Sequence, residues 1–399
     1  MDVRSGTSLW QALHQPDASW PELNGDTKCE VAVIGAGITG ALAAHYLVRE
    51  GVDVVLVDKH QSGKGSTAAS TGLLQYEADT PLSELIHLVG EQAAVRSYRL
   101  GVQAVNDLEA LAAGLSDRCG FTRWPSYYLA GTTSDVDDLR REHECRTHFG
   151  FDTRLLGVDE LAELTTIKAP AALRSTGDAQ IDPLQFTTEL LNAAATSGLR
   201  RFGRCEVTRL TPVGDGIDLT TATGTIHARR VVVANGYAAH QMLRRDIGSL
   251  HSTYAAASEP MATFEGWPES ALLWETARPY FYLRTTADGR AVIGGEDTPY
   301  FDDHRRDKLV LEKLEKLRRR FHEWFPKLHF EPAFVWAGTF GETKDGLAYI
   351  GETPELPHAY FALGYGGNGI TFGQIAARII TDLFVRRANA DAHVFRFNR

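Results

Sequence analysis

The chain has 399 residues, of which 43% are hydrophobic and 23% are charged, so its composition is that of a folded globular protein and excludes a disordered chain. It carries 41 Lys and Arg against 51 Asp and Glu, a net charge of −10. This balance disfavours bulk nucleic-acid binding, because such binding depends on neutralising phosphates, and we expect no nucleic-acid partner.

The cysteines, Cys29, Cys119, Cys145 and Cys205, form no CxxC pair, and the 14 histidines show no zinc-type spacing. We therefore expect no metal site, a reducing cytoplasmic compartment, and histidines that are structural or lie on the surface. The N-terminus shows no signal-peptide pattern, and no stretch of about 18 residues is continuously apolar, so we expect no membrane span. Residues 1–25 are expected to form an arm over the body.

Residues 29–59 follow the order strand, glycine turn, helix and strand. The β-branched run at 30–34 is typical of a buried parallel strand, and residues 35–40 give the pattern GxGxxG. A helix over 41–49 and a strand over 52–57 follow. In such a unit the glycines admit a pyrophosphate at a helix N-terminus, and an acid ~20 residues later binds a ribose. The pattern predicts a dinucleotide site, FAD or NAD, formed by Gly35, Gly37, Ile38, Thr39, Gly40, Asp58 and Lys59.

A small polar loop bounded by glycines follows the second strand. A simple NAD domain would continue with another helix and strand, whereas hydroxyl groups and backbone donors at this place suit a longer cofactor. A flexible surface linker is the alternative interpretation. The candidate cofactor residues of this loop are Ser66, Thr67, Ala68, Ser70, Thr71, Gly72 and Leu73.

The middle of the chain contributes a further buried strand, at residues 229–233. It ends in the small residues Ala234, Asn235 and Gly236, which allow the backbone to approach a ligand closely. Upstream, Asp182 and Pro183 predict the first turn of a helix, and a strand is expected near 204–210.

The remaining elements follow from hydrophobic spacing and glycine content. Helical spacing predicts helices within 82–111 and within 302–325. Residues 362–373 form a glycine-rich turn that opens a helix over 374–385, an arrangement whose N–H groups stabilise negative charge. A turn needed only for packing is the alternative. The candidate cofactor residues of this turn are Gly366, Gly367, Asn368, Gly369, Ile370 and Thr371.

This order of segments resembles the D-amino acid oxidase, glycine oxidase and sarcosine oxidase family of FAD-dependent oxidoreductases. The resemblance rests on VAVIGAGITGALAAHYL, GSTAASTGLL, RRVVVANGYAA, YFYLRTTADGRAVIGGED, GETKDGLAYIG and GYGGNGITFG. It implies an α/β fold with a Rossmann-like FAD-binding domain built from discontinuous segments, residues 26–80, 177–245 and 335–399. It also implies an α+β substrate domain with a mixed or antiparallel sheet, built from residues 81–176 and 246–334.

The resemblance implies oxidation of a C–N bond in an amine or amino acid by hydride transfer to flavin N5, giving an imine that hydrolyses. It adds the backbone of Val207 near the adenine, and Gly338, to the cofactor set. Residues 68–70 and 341–346 contain neither His nor Cys. We therefore expect the FAD to be held without a covalent bond.

By the same resemblance, Arg284 occupies the position where relatives place an arginine against a substrate carboxylate, which its planar fork can bind through two oxygens. Tyr282 shares its face of the predicted hairpin, and Tyr254 and Lys344 are further catalytic candidates. A surface arginine, core tyrosines and a solvated lysine are the alternatives. Phe340 departs from the pattern, since glycine oxidases carry an arginine there. Its presence leaves room for a secondary or more apolar amine.

Three other functions stay open at this point. A dehydrogenase of the same fold would pass electrons to a quinone or a protein in place of oxygen. A flavin module could act on a modified tRNA base or serve as a partner-binding subunit, although the acidic charge argues against nucleic acid. An NAD-only dehydrogenase would be colourless when purified, whereas a flavoprotein is yellow.

Overall fold

The computed structural model describes residues 2–14, 19–245, 247–300 and 302–399. In these ranges the helices are α1 (Leu9–Leu13), α2 (Ile38–Arg49), α3 (Ser66–Ala69), α4 (Leu82–Val89), α5 (Glu91–Gly114), α6 (Val136–His148), α7 (Val158–Leu164), α8 (Pro183–Thr196), α9 (Asp303–Lys308), α10 (Val310–Trp324) and α11 (Gly369–Val385). The strands are β1 (Arg4–Gly6), β2 (Thr27–Ile34), β3 (Val54–Val57), β4 (Leu73–Leu74), β5 (Thr122–Arg123), β6 (Ser126–Leu129), β7 (Thr153–Gly157), β8 (Ala171–Ser175), β9 (Ala179–Gln180), β10 (Arg200–Phe202), β11 (Arg209–Val213), β12 (Gly216–Thr220), β13 (Thr225–Val233), β14 (Ser249–Ser258), β15 (Leu272–Glu275), β16 (Phe281–Thr285), β17 (Ala291–Pro299), β18 (Pro332–Glu342), β19 (Tyr349–Glu352) and β20 (Ala359–Leu363).

The first sheet is built around the strand–turn–helix–strand unit near the N-terminus. Strands β10, β3, β2, β13 and β20 run parallel in that order, while β12 pairs antiparallel with β13 and β11 pairs antiparallel with β12. Alternate residues of β3 pack into two different cores, Val54 and Leu56 on one face and Val55 and Val57 on the other. The β-branched runs are therefore buried on both faces, as expected of a parallel sheet covered by helices such as α2, α8 and α11.

The second sheet covers the first at the carboxyl ends of its parallel strands. Its order within the described chain is β1, β18, β14, β17, β16, β15, β6, β8, β7, and the pairs are antiparallel except for β15 with β6. Helix α10 packs on one face of this sheet through Leu314, Leu317 and Phe321. The other face is turned toward the glycine turns, because Gly338 of β18 lies against Ala69.

The mixed α/β architecture that the sequence predicts is confirmed by this fold. Helix α8 begins as predicted, with Asp182 as N-cap and Pro183 in the first turn. The strand expected near 204–210 begins only at Arg209 in β11, and helix α11 begins at Gly369, earlier than the predicted residue 374. The glycine turn is therefore continuous with its helix.

Two segments bear on the predicted domain boundaries, and the domain division itself stays a prediction. Strand β18 pairs with β14 in the second sheet, although the sequence analysis places residues from 335 onward in the FAD-binding domain. At the N-terminus, β1 pairs with β18, and α1 buries Leu9 and Trp10. Within the described residues, no helix combines the length and apolar character that crossing a bilayer requires.

Candidate active site

The GxGxxG turn is packed so tightly that only glycine fits at two of its positions. Gly35 has a φ of +108°, and a Cβ there would lie 2.4 Å from the carbonyl oxygen of Ala234. A Cβ on Gly40 would lie 1.9 Å from the carbonyl oxygen of Gly35. Asp58 accepts the N–H of Ala36 at 2.8 Å. The fold thus joins the predicted turn, the predicted acid and residues 234–236 at one place.

Residues 66–73, the flavin loop, are held by three side chains distant in sequence. Trp336 donates its indole N–H to the carbonyl of Ala69 at 2.9 Å, and Trp10 donates to Ser70 at 2.7 Å. Arg284 donates to the carbonyl of Gly72 at 3.3 Å. Since indole and guanidinium groups fix three carbonyls on one side, the loop is preorganised for a ligand on its other side.

The turn of residues 366–368, the C-terminal turn, binds a carboxylate from elsewhere in the chain. Asp79 accepts the N–H of Gly367 at 2.7 Å and the side-chain N–H of Asn368 at 3.2 Å. Burial raises the pKa of Asp79 to about 6, while the Gly367 N–H lowers it. A turn that holds an internal anion has the donors needed for the anionic end of a reduced flavin.

These three segments converge as a cofactor site would require. Thr371, in the first turn of α11, donates its hydroxyl to the carbonyl of Gln75, just beyond the flavin loop, at 3.0 Å. Helix α11 abuts α2 so closely that a Cβ on Gly373 would lie 3.1 Å from the Thr39 hydroxyl oxygen. The side-chain oxygen of Asn235 is buried and has no hydrogen-bond partner in the part of the chain that the structure describes. The tight glycine cradle and this orphan oxygen fit an extended dinucleotide with polar atoms along its length.

The remaining predicted cofactor residues lie in or around this cradle with different exposures. Thr67 accepts the N–H of Ile38 at 2.9 Å, which joins the first turn to the flavin loop. Val207 is partly buried against the core of the first sheet, and Gly236 is exposed at the end of β13. Lys59 is exposed. Their roles toward the cofactor stay predictions.

A cavity of about 630 Å³ opens between the flavin loop, the C-terminal turn and the second sheet. That volume lies within the range of typical ligand pockets. Its walls include Ser66, Ser70 and Thr71 of the loop and Gly366 of the turn. One cavity therefore meets both the predicted flavin segments and the predicted substrate domain.

Aromatic rings form much of the cavity wall on the substrate side. Tyr128 and Trp274 stack with their centroids 5.5 Å apart, and His251 stacks on Phe340 at 5.4 Å. Tyr282 also lines the cavity, and burial raises the pKa of its hydroxyl above the usual value. These rings give the cavity a largely apolar wall with electron-rich faces.

A buried charge network, of which Glu77 and Arg146 line the cavity, forms another part of its wall. Arg146 of α6 donates to Glu77 at 2.7 Å and to Glu142 at 2.5 Å, and its guanidinium lies near the rings of Tyr76 and Tyr98. Glu142 also accepts the backbone N–H groups at the start of α4. The arginine is thus bound by protein carboxylates on the side facing α4 and β8.

The four predicted catalytic residues occupy different places. Tyr282 lines the cavity. Arg284 lies on the same face of β16 as Tyr282, but it does not line the cavity. It is only 2% exposed and lies beneath Gly72 and beside the Trp10 ring. The position predicted for a substrate anchor is therefore filled by contacts to the protein itself. Tyr254 lies on the opposite face of β14 from Thr253, toward Lys313 of α10. Lys344 is exposed and donates to the C-terminal residue Arg399.

Asp297 is the most consequential residue that the sequence analysis missed. In a regular strand Asp297 and Gly294 would face opposite sides of the sheet, because the two are three residues apart. Glu296 has a φ of +56°, and the β14–β17 register shifts at this point, so the bulge turns Asp297 into the cavity. No pattern in the sequence marks this bulge, although a Gly-Gly pair in a strand hints at one.

Other cavity residues were missed for simpler reasons. Glu77 and Asp79 lie in the predicted FAD-binding domain without being among its candidate residues, and Arg146 lies in the predicted substrate domain. His251 lines the cavity, although the histidines were assigned structural or surface roles. Trp274 lies directly opposite Tyr282 in the β15–β16 ladder, so its position could have been found by pairing these two strands.

A family model for FAD-dependent oxidoreductases matches residues 30–383, which includes every segment of this site except the N-terminal contact of Trp10. The chain belongs to this family. The FAD-dependent oxidoreductase is 28% identical over 375 residues to the glycine oxidase of Geobacillus kaustophilus (strain HTA426), covering 90% of this chain and 94% of that protein. It is 24% identical over 389 residues to the gamma-glutamylputrescine oxidoreductase of Escherichia coli (strain K12), covering 94% and 88%.

Solved structures support the same fold. The crystal structure of glycine oxidase from Geobacillus kaustophilus superposes with a TM-score of 0.76 at 24% identity, covering 91% of this chain and 96% of that one. The crystal structure of L-proline dehydrogenase from P. horikoshii gives a TM-score of 0.77 at 22% identity, covering 94% and 99%. The family and FAD as cofactor, both predicted from the sequence, are confirmed.

Proposed function

We propose that this FAD-dependent oxidoreductase oxidises the C–N bond of an amine or amino acid and yields an imine that hydrolyses in water. The observation that carries the proposal is the single cavity of about 630 Å³, whose walls come from both the flavin-binding segments and the second sheet. The glycine oxidase and gamma-glutamylputrescine oxidoreductase relatives support it, since both names describe oxidation of nitrogen compounds.

FAD, when bound, would supply the acceptor for the hydride that leaves the carbon of the C–N bond. The N–H group of Gly37 and the N-terminus of α2 would hold its pyrophosphate, and Asp58 its ribose. The N-terminus of α11, which follows the C-terminal turn, would stabilise negative charge on the pyrimidine ring. The aromatic wall excludes water from the reacting carbon and holds this carbon over the flavin loop.

We further propose that the FAD is held without a covalent bond. The flavin loop contains neither Cys nor His, and the four cysteines lie outside the cavity lining. His251 lines the cavity, where its ring stacks on Phe340 and its Nε2 lies 3.5 Å from a carboxylate oxygen of Glu342. The imidazole ring of His251 is therefore in contact with protein groups and is not needed to hold the FAD.

The test is anaerobic bleaching of the purified yellow enzyme by a panel of amino acids, N-methyl amino acids, monoamines and polyamines. We expect one chemical class to remove the flavin absorbance near its long-wavelength maximum within seconds to minutes, because oxidation of the C–N bond delivers two electrons to the cofactor. Bleaching by dithionite but by no nitrogen compound would contradict the proposal.

The same reduced enzyme tests the electron acceptor. Mixing it with air-saturated buffer in a stopped-flow instrument should give rapid reoxidation with peroxide if oxygen is the acceptor. Slow reoxidation in air that a soluble quinone accelerates would assign the dehydrogenase alternative, which the fold shared with L-proline dehydrogenase makes a specific competitor.

A further inference from the structure

The charges that line the cavity are not balanced. Its lining holds four carboxylates, Glu77, Asp79, Asp297 and Glu342, against two arginines: Arg146, which is bound to Glu77, and Arg278 at the exposed mouth. Arg278 donates to the carbonyl of Thr276 at 2.8 Å, and its guanidinium lies over the Tyr280 ring at 3.2 Å. Arg278 is therefore already bound by protein groups and does not balance the charges of Asp79 and Asp297.

Asp297 is the carboxylate best placed for a ligand. The bulge in β17 turns it into the cavity, and its Oδ1 is buried with no hydrogen-bond partner within the described residues. The charged groups that act on it are Asp79 across the cavity, Arg278 at the mouth and Lys313 from α10. Lys313 bonds Glu296 at 3.1 Å, so its charge is already paired on the far side of the sheet.

The ionisation of Asp297 suits a cationic ligand. Burial raises its pKa to about 6, while the Thr253 hydroxyl and the nearby cations act in the opposite direction. Above pH 7 the carboxylate is therefore mainly ionised, whereas an alkylammonium group with a pKa near that of lysine, about 10.4, is still protonated. A buried carboxylate without a partner is costly, so a bound cation is strongly favoured.

The aromatic wall points to the same charge. Tyr128, Trp274, Tyr282 and Phe340 line the cavity together with Asp297, and the faces of aromatic rings attract cations where water is excluded. Arg284, which the sequence predicts as an anchor for a carboxylate, lies beyond the lining and binds Gly72. The cavity thus offers a cation several contacts and offers a carboxylate few.

We propose that Asp297 binds the ammonium group of the substrate and accepts the proton that this nitrogen loses before hydride leaves the carbon, and that the preferred substrates are amines with no carboxylate on the reacting carbon. This inference rests on the proposed function, which it narrows to one substrate class. Asp297 touches the substrate in this assignment, and the β17 bulge is the feature that places it.

The test uses two unreactive ligands of the same shape and opposite charge. The C–N carbon of tert-butylamine bears no hydrogen, so this ammonium ligand cannot be oxidised, and pivalate is its anionic counterpart. Their dissociation constants are measured by titration calorimetry on the FAD-loaded protein at pH 8. We expect wild type to bind tert-butylammonium at least about tenfold more tightly than pivalate, a ratio typical of one charge-assisted hydrogen bond.

Variants assign this preference to a residue. Asp297→Asn should weaken tert-butylammonium binding by about tenfold or more and narrow the preference, because the amide keeps the shape and removes the charge. Asp215→Asn, an equal charge change at the exposed β11–β12 turn, should leave both constants unchanged. Arg284→Met should retain the preference for the ammonium ligand. Asp297→Ser replaces Asp297→Asn if that variant does not fold.

Three outcomes would overturn the inference: tighter binding of pivalate by wild type, binding of neither ligand, or a change below twofold in Asp297→Asn and Asp297→Ser. Loss of pivalate binding in Arg284→Met would assign the carboxylate anchor to Arg284. Failure of the proposed function gives a different result from failure of this inference: the enzyme then binds tert-butylammonium, but no nitrogen compound bleaches its flavin.

Discussion

Replacing Gly40 by alanine is expected to destabilise the protein by about 3 kcal/mol and to abolish FAD retention. The new Cβ would lie 1.9 Å from the carbonyl oxygen of Gly35 and 3.0 Å from its carbonyl carbon. These are backbone atoms of the same turn, so relief requires α2 to move away from β2, which opens the site where the pyrophosphate binds. Denaturant unfolding and the flavin absorbance of the purified variant measure the two effects.

Two other glycines supply matched controls. A Cβ on Gly37 would meet only the Thr67 hydroxyl oxygen, at 3.0 Å among the described atoms, so Gly37→Ala should fold normally and lose FAD affinity. A Cβ on Gly114, at the end of α5, has no described neighbour within 4 Å, and Gly114→Ala should change neither property. A Gly40→Ala protein as stable and as yellow as wild type would show that this close contact is not required.

Arg146→Met is expected to cost about 3–5 kcal/mol in the free energy of unfolding. The arginine is 2% exposed and holds Glu77 and Glu142, both also buried, so its loss leaves two carboxylates in the interior without their cation. The charge, not the packing of the side chain, causes this loss. Urea unfolding followed by tryptophan fluorescence, with the flavin-free protein at neutral pH, measures it.

The control for this variant lies on the same helix. Arg141→Met removes an exposed arginine paired with Asp138, and surface ion pairs contribute about 0–1 kcal/mol, so little change is expected. Adding Glu77→Gln and Glu142→Gln to Arg146→Met should recover part of the lost stability, because neutral amides cost less to bury. Equal stability of Arg146→Met and Arg141→Met would contradict the charge network as a source of stability.

The cofactor half of the site could be predicted from the sequence because its signals are local. The glycines at 35–40 and 366–369 mark turns whose required backbone positions depend on neighbouring residues in the chain. Strands β2 and β20, which both pair in parallel with β13, then carry these turns to the same edge of the sheet. Their convergence follows from the order of strands and helices.

The substrate half depends on contacts between distant segments, which the sequence does not encode locally. Arg284 and Tyr282 share a face as strand alternation predicts, but Trp10 and Gly72 cover Arg284, whereas Tyr282 lines the cavity. Asp297 faces the cavity because of a bulge that shifts the strand register. Thr253 and Tyr254 are adjacent in β14, so their side chains point to opposite faces of the sheet. Thr253 lines the cavity, and Tyr254 packs under α10.

The most direct test of the central claim, that three separated segments hold one flavin against a cavity lined by Asp297, is a crystal structure of the protein with FAD. The account predicts density for the flavin ring between the flavin loop and the C-terminal turn, with one ring face toward Tyr282 and Asp297 and no bond to His251. Flavin density away from this cavity, or a fully loaded protein in which these segments do not touch it, would contradict the account.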